Sequence, residues 1–486
     1  MTNANKMIGK AIIKNSGFII AGVVILLILI KSTMPLAGIV VGLIGLAALF
    51  VSFKYPQYLM YLLILAVTNI FGIYNILEEY RLPGIGKPSD FILVLLNLLV
   101  IVKINNYKVE LSKTGKKLVK VAIIIAFYIF FLIFYSSVIM GRESFNYALR
   151  TGAAYLYYTS FLFPIYLVTK PKQLVQFINF LRIGGLTTGA IAIISNIVGY
   201  SIVTGVISAQ SGPFVRVYLP FIFNYFVVVF WSIQFITKSK IEVKIHYLEA
   251  IISALGIILF LGRTLVICVC LSLLMIIWFL SKYSLRNKMR IIYLFAIFAF
   301  GLILSFVRLH FNPAEIIGRF QLGYTETLQG TSTFSDRLYL ISAGYRMFSQ
   351  TPLFGTGFIH PTSNYYSNLV TSKGFAIANS ADFGLASILF TTGIIGFGLI
   401  TYFVIANMAF IKGKVNLLKE QKNINLIFIY SFAMFAMVVF IFFVEQLAGN
   451  EFAYKSVAVD LVALGFAVKM LSGNIVKTDK ELFVND

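Results

Sequence analysis

The chain alternates about fourteen apolar runs of roughly membrane-spanning length with short polar connections, and it contains one long polar segment, residues 308–383. With 59% hydrophobic and 12% charged residues it is far from a soluble globular protein, in which about 25% of residues are charged. A backbone in lipid must satisfy its own hydrogen bonds, so runs such as 119–140 and 424–444 predict helices, and strands are rejected for the Val-, Ile- and Phe-rich stretches. The sequence therefore predicts an all-α polytopic membrane protein, a single transmembrane domain over residues 1–486.

The predicted spans follow the apolar runs, and segment 308–383 forms one long loop that carries short helices. We place the spans at 16–30, 35–53, 57–77, 91–102, 119–140, 151–169, 174–197, 214–237, 247–262, 264–281, 291–307, 384–411, 424–444 and 456–471.

Orientation follows from the distribution of the 40 Lys and Arg residues, of which roughly two thirds fall in every second connection. Basic connections stay in the cytoplasm, so both termini are predicted to be cytoplasmic and the long loop 308–383 external. The net charge of +22 does not indicate nucleic-acid binding, because there is no soluble basic domain to carry such a site.

The middle of the long loop predicts an interfacial helix that starts near Ser335, an N-cap candidate, with Asp336 in its first turn. Proline and glycines end this helix at Thr351, which is followed by Pro352-Leu-Phe-Gly-Thr-Gly357.

These motifs resemble the Wzy-type polysaccharide polymerases and the related O-antigen ligases. The resemblance rests on Arg337 followed by an amphipathic helix, on the Pro352 to Gly357 motif, and on residues 382–396, which enter a span. Arg346 and Gly357 enclose ten residues, similar to an R-x10-G pattern described for loops of some of these polymerases. Gly262-Arg263-Thr264 resembles a Ser-Arg pair that family members carry at the outer end of a span.

The resemblance implies a reaction: transfer of a glycan from undecaprenyl diphosphate to a sugar hydroxyl on another lipid-linked unit, at the outer face of the bacterial cytoplasmic membrane. Such a reaction needs cations for the departing diphosphate, a base for the attacking hydroxyl and a groove for two lipid-linked chains. No cofactor is implied. The implied partners are the lipid-linked repeat units, membrane lipids, a chain-length regulator and a flippase, and no nucleic acid.

Arginines are the candidates for the diphosphate, because the guanidinium holds phosphate oxygens bidentately and stays charged. Arg216, in the first turn of its predicted span, Arg263, at a tight outer turn, and Arg337, in the loop, are the three predicted ligands. Arg346 is a further candidate, but nine residues of helix would place it opposite Arg337 unless the helix breaks at Gly344. The alternative for each is a side chain that reaches out to lipid headgroups.

The base is less well defined by the sequence. His360 follows the glycine turn, and Asp382 lies eleven residues before Gly393, where the ligase branch of the family commonly carries a histidine. This departure disfavours a ligase and makes Asp382 a candidate base, with a simple helix N-terminal charge as the alternative. Asp336 is a third candidate, although it can equally be the ion-pair partner of Arg337. No metal site is predicted, since no His, Asp or Glu cluster has ligand spacing.

Features inside the spans have structural and functional interpretations. Arg182 is either a site residue or the partner of a neighbouring helix. Small residues four apart, Gly38 with Gly42 and Gly185 with Gly189, predict helix packing.

Aromatic residues near the glycine turn could stack on sugars or lie in the interfacial belt; they are Tyr345, Phe358, Tyr365 and Tyr366. The main alternative to a polymerase is a flippase for lipid-linked sugars, which the long external loop disfavours. A ligase differs only in its acceptor.

Overall fold

The described part of the chain is mainly helical. The computed structural model describes residues 55–68, 88–106, 109–203, 208–211, 214–217, 220–238, 241, 243–259, 263–280, 289, 345–346, 348–359, 385–444 and 456–472. These residues form apolar helices, short turns and a single two-stranded hairpin. The predicted all-α membrane fold is confirmed, while the spans predicted at 16–30, 35–53 and 291–307 lie outside the described residues.

The helices are numbered in chain order. They are α1 (Pro56–Thr68), α2 (Pro88–Asn106), α3 (Lys113–Phe134), α4 (Phe145–Leu156), α5 (Leu162–Leu167), α6 (Lys172–Val198), α7 (Ile222–Thr237), α8 (Tyr247–Leu259), α9 (Arg263–Phe279), α10 (Leu385–Glu420), α11 (Leu426–Phe443) and α12 (Val457–Ser472). A π-helical turn (Tyr135–Ile139) extends α3, and a 3-10 helix (Tyr157–Phe161) joins α4 to α5. The hairpin strands are β1 (Ser208–Ser211) and β2 (Phe214–Val217).

Several helices have the length and composition of membrane spans. Within the described residues, four helices are long and apolar enough to cross a membrane: Lys113–Ile139, Lys172–Val198, Leu385–Glu420 and Leu426–Phe443. Shorter apolar helices lie at Pro56–Thr68, Ile222–Thr237, Tyr247–Leu259 and Leu265–Phe279. All of these helices overlap predicted spans, so the chain is an integral membrane protein, and the total of about fourteen spans stays a prediction.

Helix ends that the charge distribution assigns to the cytoplasm contact one another. The Ser112 hydroxyl, just before α3, donates to the Ser472 hydroxyl at the end of α12 over 3.3 Å. The Gln173 amide at the start of α6 donates to the Gln57 side chain of α1 over 2.8 Å. The pairing agrees with the predicted alternation of the helices. Below, the opposite end of the bundle, where α3 ends and α4 begins, is called the outer end.

The span predicted at 151–169 is wrong as a single helix. The chain there forms the end of α4, the 3-10 helix and the short α5. Pro164 has no N–H group to donate to the carbonyl one turn earlier, and the Thr159 hydroxyl donates to the Leu156 carbonyl over 2.8 Å. Both features favour a tighter, interrupted helix at this point.

The span predicted at 214–237 is also wrong at its beginning. Residues Phe214–Val217 form β2, which pairs antiparallel with β1, and α7 begins only at Ile222. Rejecting strands was therefore incorrect for this segment. Its β-branched residues favour strand, and Pro220 disfavours helical backbone at the residue before it.

Close packing of α6, α7 and α8 depends on small residues. A Cβ atom at Gly185 would lie 2.8 Å from a backbone oxygen of α7, and one at Gly189 would lie 2.6 Å from a backbone oxygen of α8. The predicted packing role of this glycine pair is confirmed. The pair Gly38 and Gly42 lies outside the described residues.

Several polar side chains link these three helices. Arg182 Nε of α6 lies 2.8 Å from the Glu249 carboxylate of α8, so the predicted pairing with a neighbouring helix is confirmed. The Thr188 hydroxyl donates to the Asn224 side chain over 2.6 Å, and the Asn224 amide donates to the Gly185 carbonyl over 2.8 Å. These contacts compensate for placing polar groups among apolar helices.

Candidate functional site

Helix α10 breaks at Gly393, inside the span predicted at 384–411. The backbone there has φ 69° and ψ −177°, a combination that essentially only glycine adopts. A Cβ atom at this position would also overlap the carbonyl oxygen of Leu353. The break divides α10 into two half-helices, residues 385–392 and 394–420.

The glycine loop, Pro352 to Gly357, satisfies the carbonyls that the break leaves without helical partners. The Thr356 N–H donates to the Phe390 carbonyl over 2.8 Å, and the Gly357 N–H donates to the Thr391 carbonyl over 3.1 Å. In lipid each backbone group without a hydrogen-bond partner costs several kcal/mol. The loop therefore caps the end of the first half-helix.

The same loop supplies acceptors to the second half-helix. The Ile394 N–H donates to the Pro352 carbonyl over 2.9 Å, and the Ile395 N–H donates to the Leu353 carbonyl over 3.3 Å. The glycine loop thus bonds to both sides of the break. It is part of the span's own hydrogen-bond system, although it belongs to the long loop in the sequence.

Helix α3 completes the support of the break. The Tyr128 hydroxyl donates to the Thr392 carbonyl over 2.6 Å. The Phe354 ring of the glycine loop packs against Phe131 and Tyr135, with centroid distances of 5.2 and 5.3 Å. The loop is consequently held between the outer part of α3 and the broken helix.

Arg142 joins the glycine loop to the π-helical turn that follows α3. Its N–H donates to the Ser136 carbonyl over 3.1 Å, and its half-buried guanidinium donates from Nη1 to the Thr356 carbonyl over 3.1 Å. Gly357 has φ 71°, and a Cβ atom there would lie 2.6 Å from Ser136 Cβ. We call this assembly of the π-helical turn, Arg142, the glycine loop and the Gly393 break the junction.

Helix α4 packs on the far end of the loop. The fully buried Phe358 ring lies 5.1 Å from the Tyr155 ring, and a Cβ atom at Gly152 would lie 2.8 Å from Phe358. The Tyr155 hydroxyl interacts with the hydroxyls of Ser387 and Thr391 on the first half-helix. The junction therefore brings together α3, α4, α10 and the glycine loop.

The aromatic residues near the glycine turn do not form one surface. Phe358 is a core residue, so it offers no face to a sugar. Tyr345 is 61% exposed and is available for contact. Tyr365 and Tyr366 lie outside the described residues.

Three predicted arginines can be placed. Arg346 is exposed and lies in helical backbone that ends at the Thr351 turn, where the loop helix was predicted to end. Arg263 begins α9. Arg216 lies in β2 opposite Ala209, so its prediction in the first turn of a helix is wrong, for the reasons given for the hairpin.

The other predicted site residues are not placed by the structure. Asp336, Arg337, His360 and Asp382 lie outside the described residues, as does Gly344. Among the residues that are described, no three His, Cys, Asp or Glu side chains are grouped as a metal site.

Sequence reasoning missed Arg142, Tyr128 and the π-helical turn. Gly393 carried a usable signal, since a glycine within an apolar run often marks a helix irregularity. The sequence signal of Arg142 was weak, because it is a single basic residue in a connection predicted to be external. Its partner is 214 residues away in the chain, and no local pattern identifies such a contact.

The fold and the junction define a class: a polytopic α-helical membrane protein in which a long polar segment is fastened to a broken span. Residues 248–401 match a family model described as O-antigen ligase. The matched region runs from α8 through the glycine loop to just beyond the Gly393 break. It confirms the predicted resemblance to the O-antigen ligase/polymerase superfamily, whose members are membrane enzymes that act on polysaccharides. No curated protein shows significant similarity to the chain.

Proposed function

We propose that the chain is a polymerase of cell-surface polysaccharide. It transfers an undecaprenyl-diphosphate-linked glycan onto a lipid-linked repeat unit at the outer face of the bacterial cytoplasmic membrane. The observation that carries the proposal is the family match over residues 248–401, which includes the long polar segment and two parts of the junction, the glycine loop and the Gly393 break.

The junction supports this function because it lies next to the stretch 360–384 in the sequence. The stretch 360–384, which contains His360 and Asp382, is bounded by Ile359 and Leu385. Ile359 is buried directly after the glycine loop, and Leu385 begins the first half-helix. The stretch that carries two candidate bases is therefore bounded in the sequence by the glycine loop and by the half-helix that this loop caps.

The chemical roles follow from the reaction. Arg216, Arg263, Arg337 and Arg346 are the proposed ligands of the departing diphosphate, whose charge grows as the glycosidic bond breaks. The Arg346 side chain is exposed, so it can contact a substrate at the outer end. Asp382, His360 or Asp336 is the proposed base that accepts the proton of the attacking hydroxyl.

A ligase is the second candidate, since the matching family model is described by that activity. A ligase would transfer the finished glycan to a different acceptor with the same diphosphate chemistry. Asp382 in place of the histidine common in the ligase branch favours the polymerase. A flippase receives no support from the family match.

The test combines gene deletion with reconstitution. Deletion should remove long surface polymer and leave single lipid-linked repeat units on the outer face. The purified protein in lipid nanodiscs should convert those units into a ladder of polymer. Units trapped on the inner face would identify a flippase, and transfer only to another acceptor would identify a ligase.

Variants test the proposed diphosphate ligands in the same assay. Arg263→Ala and Arg337→Ala should each shorten or abolish the ladder at equal protein levels. Unchanged ladders in both variants would rule out these two arginines as ligands.

A further inference from the structure

Arg142 contacts the glycine loop at a peptide group that also bonds to the broken helix. The Thr356 carbonyl and the Gly357 N–H belong to one peptide group. The Arg142 guanidinium donates to the Thr356 carbonyl over 3.1 Å. The Gly357 N–H donates to the Thr391 carbonyl of α10 over 3.1 Å. This peptide is therefore held from both sides, by a cation and by the broken helix.

The cation strengthens both bonds. A hydrogen bond from a charged donor is roughly twice as strong as one between neutral groups. Donation to the carbonyl also polarises the peptide, so that its N–H becomes a better donor to Thr391. Loss of the guanidinium would weaken the capping of the first half-helix as well as the direct contact.

The position of Arg142 is itself fixed by α3. Its N–H donates to the Ser136 carbonyl, within the π-helical turn. π-Helical turns are rare and occur frequently at functional sites. Gly357 packs so closely on Ser136 that any side chain at this position would collide, which sets the distance between the turn and the loop.

We infer that Arg142 is a positioning residue of this enzyme: it locks the glycine loop against the broken helix, and these two elements bound, in the sequence, the stretch that carries His360 and Asp382. This inference rests on the proposed function for its catalytic consequence. Its structural part, the locking of the loop, is independent of that function. Arg142 acts through the loop and is not proposed as a ligand of the diphosphate.

Hydrogen–deuterium exchange of the full-length protein in nanodiscs tests the locking. Arg142→Ala should accelerate amide exchange in peptides that cover 351–359 by about tenfold or more, the factor expected for one lost charge-assisted hydrogen bond. Arg150→Ala is the matched control, because Arg150 is an exposed arginine of the neighbouring α4 and should leave this exchange unchanged. Equal exchange in the wild type and Arg142→Ala would overturn the inference. Arg142→Gln, which retains a neutral donor, carries the measurement if the Ala variant does not accumulate.

Turnover of lipid-linked repeat units, purified from the deletion strain, tests the catalytic consequence. A positioning role predicts a kcat at least about tenfold lower in Arg142→Ala, with KM nearly unchanged and partial rescue by both Lys and Gln. A raised KM that Lys restores and Gln does not would identify a diphosphate ligand and overturn the assignment. Faster exchange with unchanged kcat would overturn it too. If the wild type makes no polymer, the proposed function fails while the exchange result still decides the locking.

Discussion

Gly393 is subject to two independent restrictions that make it hard to replace. Its φ of 69° favours glycine, and a Cβ atom would overlap the Leu353 carbonyl. We predict that Gly393→Ala destabilises the protein by at least about 1–3 kcal/mol, the cost of the backbone conformation alone. Thermal unfolding of the purified protein, followed by circular dichroism, should show a clearly lower Tm.

Gly398 provides the control within the same helix. A Cβ atom there would meet no other atom within 4 Å, and alanine is favoured over glycine in a helix by roughly 0.5–1 kcal/mol. Gly398→Ala should therefore leave the Tm unchanged or raise it. If both alanine variants lowered the Tm equally, the special role of Gly393 would be refuted.

At the scale of residues, the sequence identifies candidates more readily than partners. Proline and glycine predicted the turn at 352–357, and Arg182 was predicted to be either a site residue or the partner of a neighbouring helix. The partner of Gly393 could not be inferred, because it depends on a loop about forty residues earlier in the chain. Whether an arginine binds substrate or a backbone carbonyl is decided by tertiary contacts that composition does not encode.

Between elements, α3 and α10 are connected by the hydrogen bond from the Tyr128 hydroxyl to the Thr392 carbonyl. We predict that Tyr128→Phe lowers stability by about 1–3 kcal/mol, because the substitution leaves a carbonyl at the break without this donor. The ring and its packing are retained, so the change isolates the hydroxyl. Thermal unfolding measures the effect.

Tyr402→Phe is the matched control for this element contact. Tyr402 also lies on α10, but its side chain is 56% exposed and its hydroxyl is not at the break. The Tm of this variant should stay within error of the wild type. A Tm loss in Tyr402→Phe as large as that in Tyr128→Phe would argue against a specific bond at Thr392.

The elements show where pattern reading succeeds and where it fails. Apolar runs predicted α3, α6 and α11 well, since a helix is the only way to satisfy an isolated backbone segment in lipid. The run at 151–169 was also predicted as one span, yet its helix changes to a 3-10 helix at Tyr157–Phe161. Hydropathy measures the environment of a segment and is insensitive to backbone irregularities that neighbouring elements repair, as the glycine loop does for α10.

Over the whole molecule, the charge distribution predicts which helix ends share a side, and contacts between those ends test it. Ser112 with Ser472 and Gln57 with Gln173 both join ends assigned to the cytoplasm. Arg142 with Thr356 joins two segments assigned to the outside. These contacts agree with the predicted alternation of the helices, but they do not say which end of the bundle faces the cytoplasm. That orientation is the next quantity to measure.

We predict that Tyr345 faces the outside and Lys117 the cytoplasm, since the basic N-terminal part of α3 belongs to the inner side by the distribution of charge. Both residues are exposed, so a cysteine at either position can react. Single cysteines would be introduced by Tyr345→Cys or Lys117→Cys into a background carrying Cys268→Ala and Cys270→Ala. In intact cells a membrane-impermeant maleimide should label the cysteine at 345, and it should label the one at 117 only after permeabilisation. The opposite pattern would place the junction and the long loop in the cytoplasm, where no lipid-linked unit at the outer face could reach them.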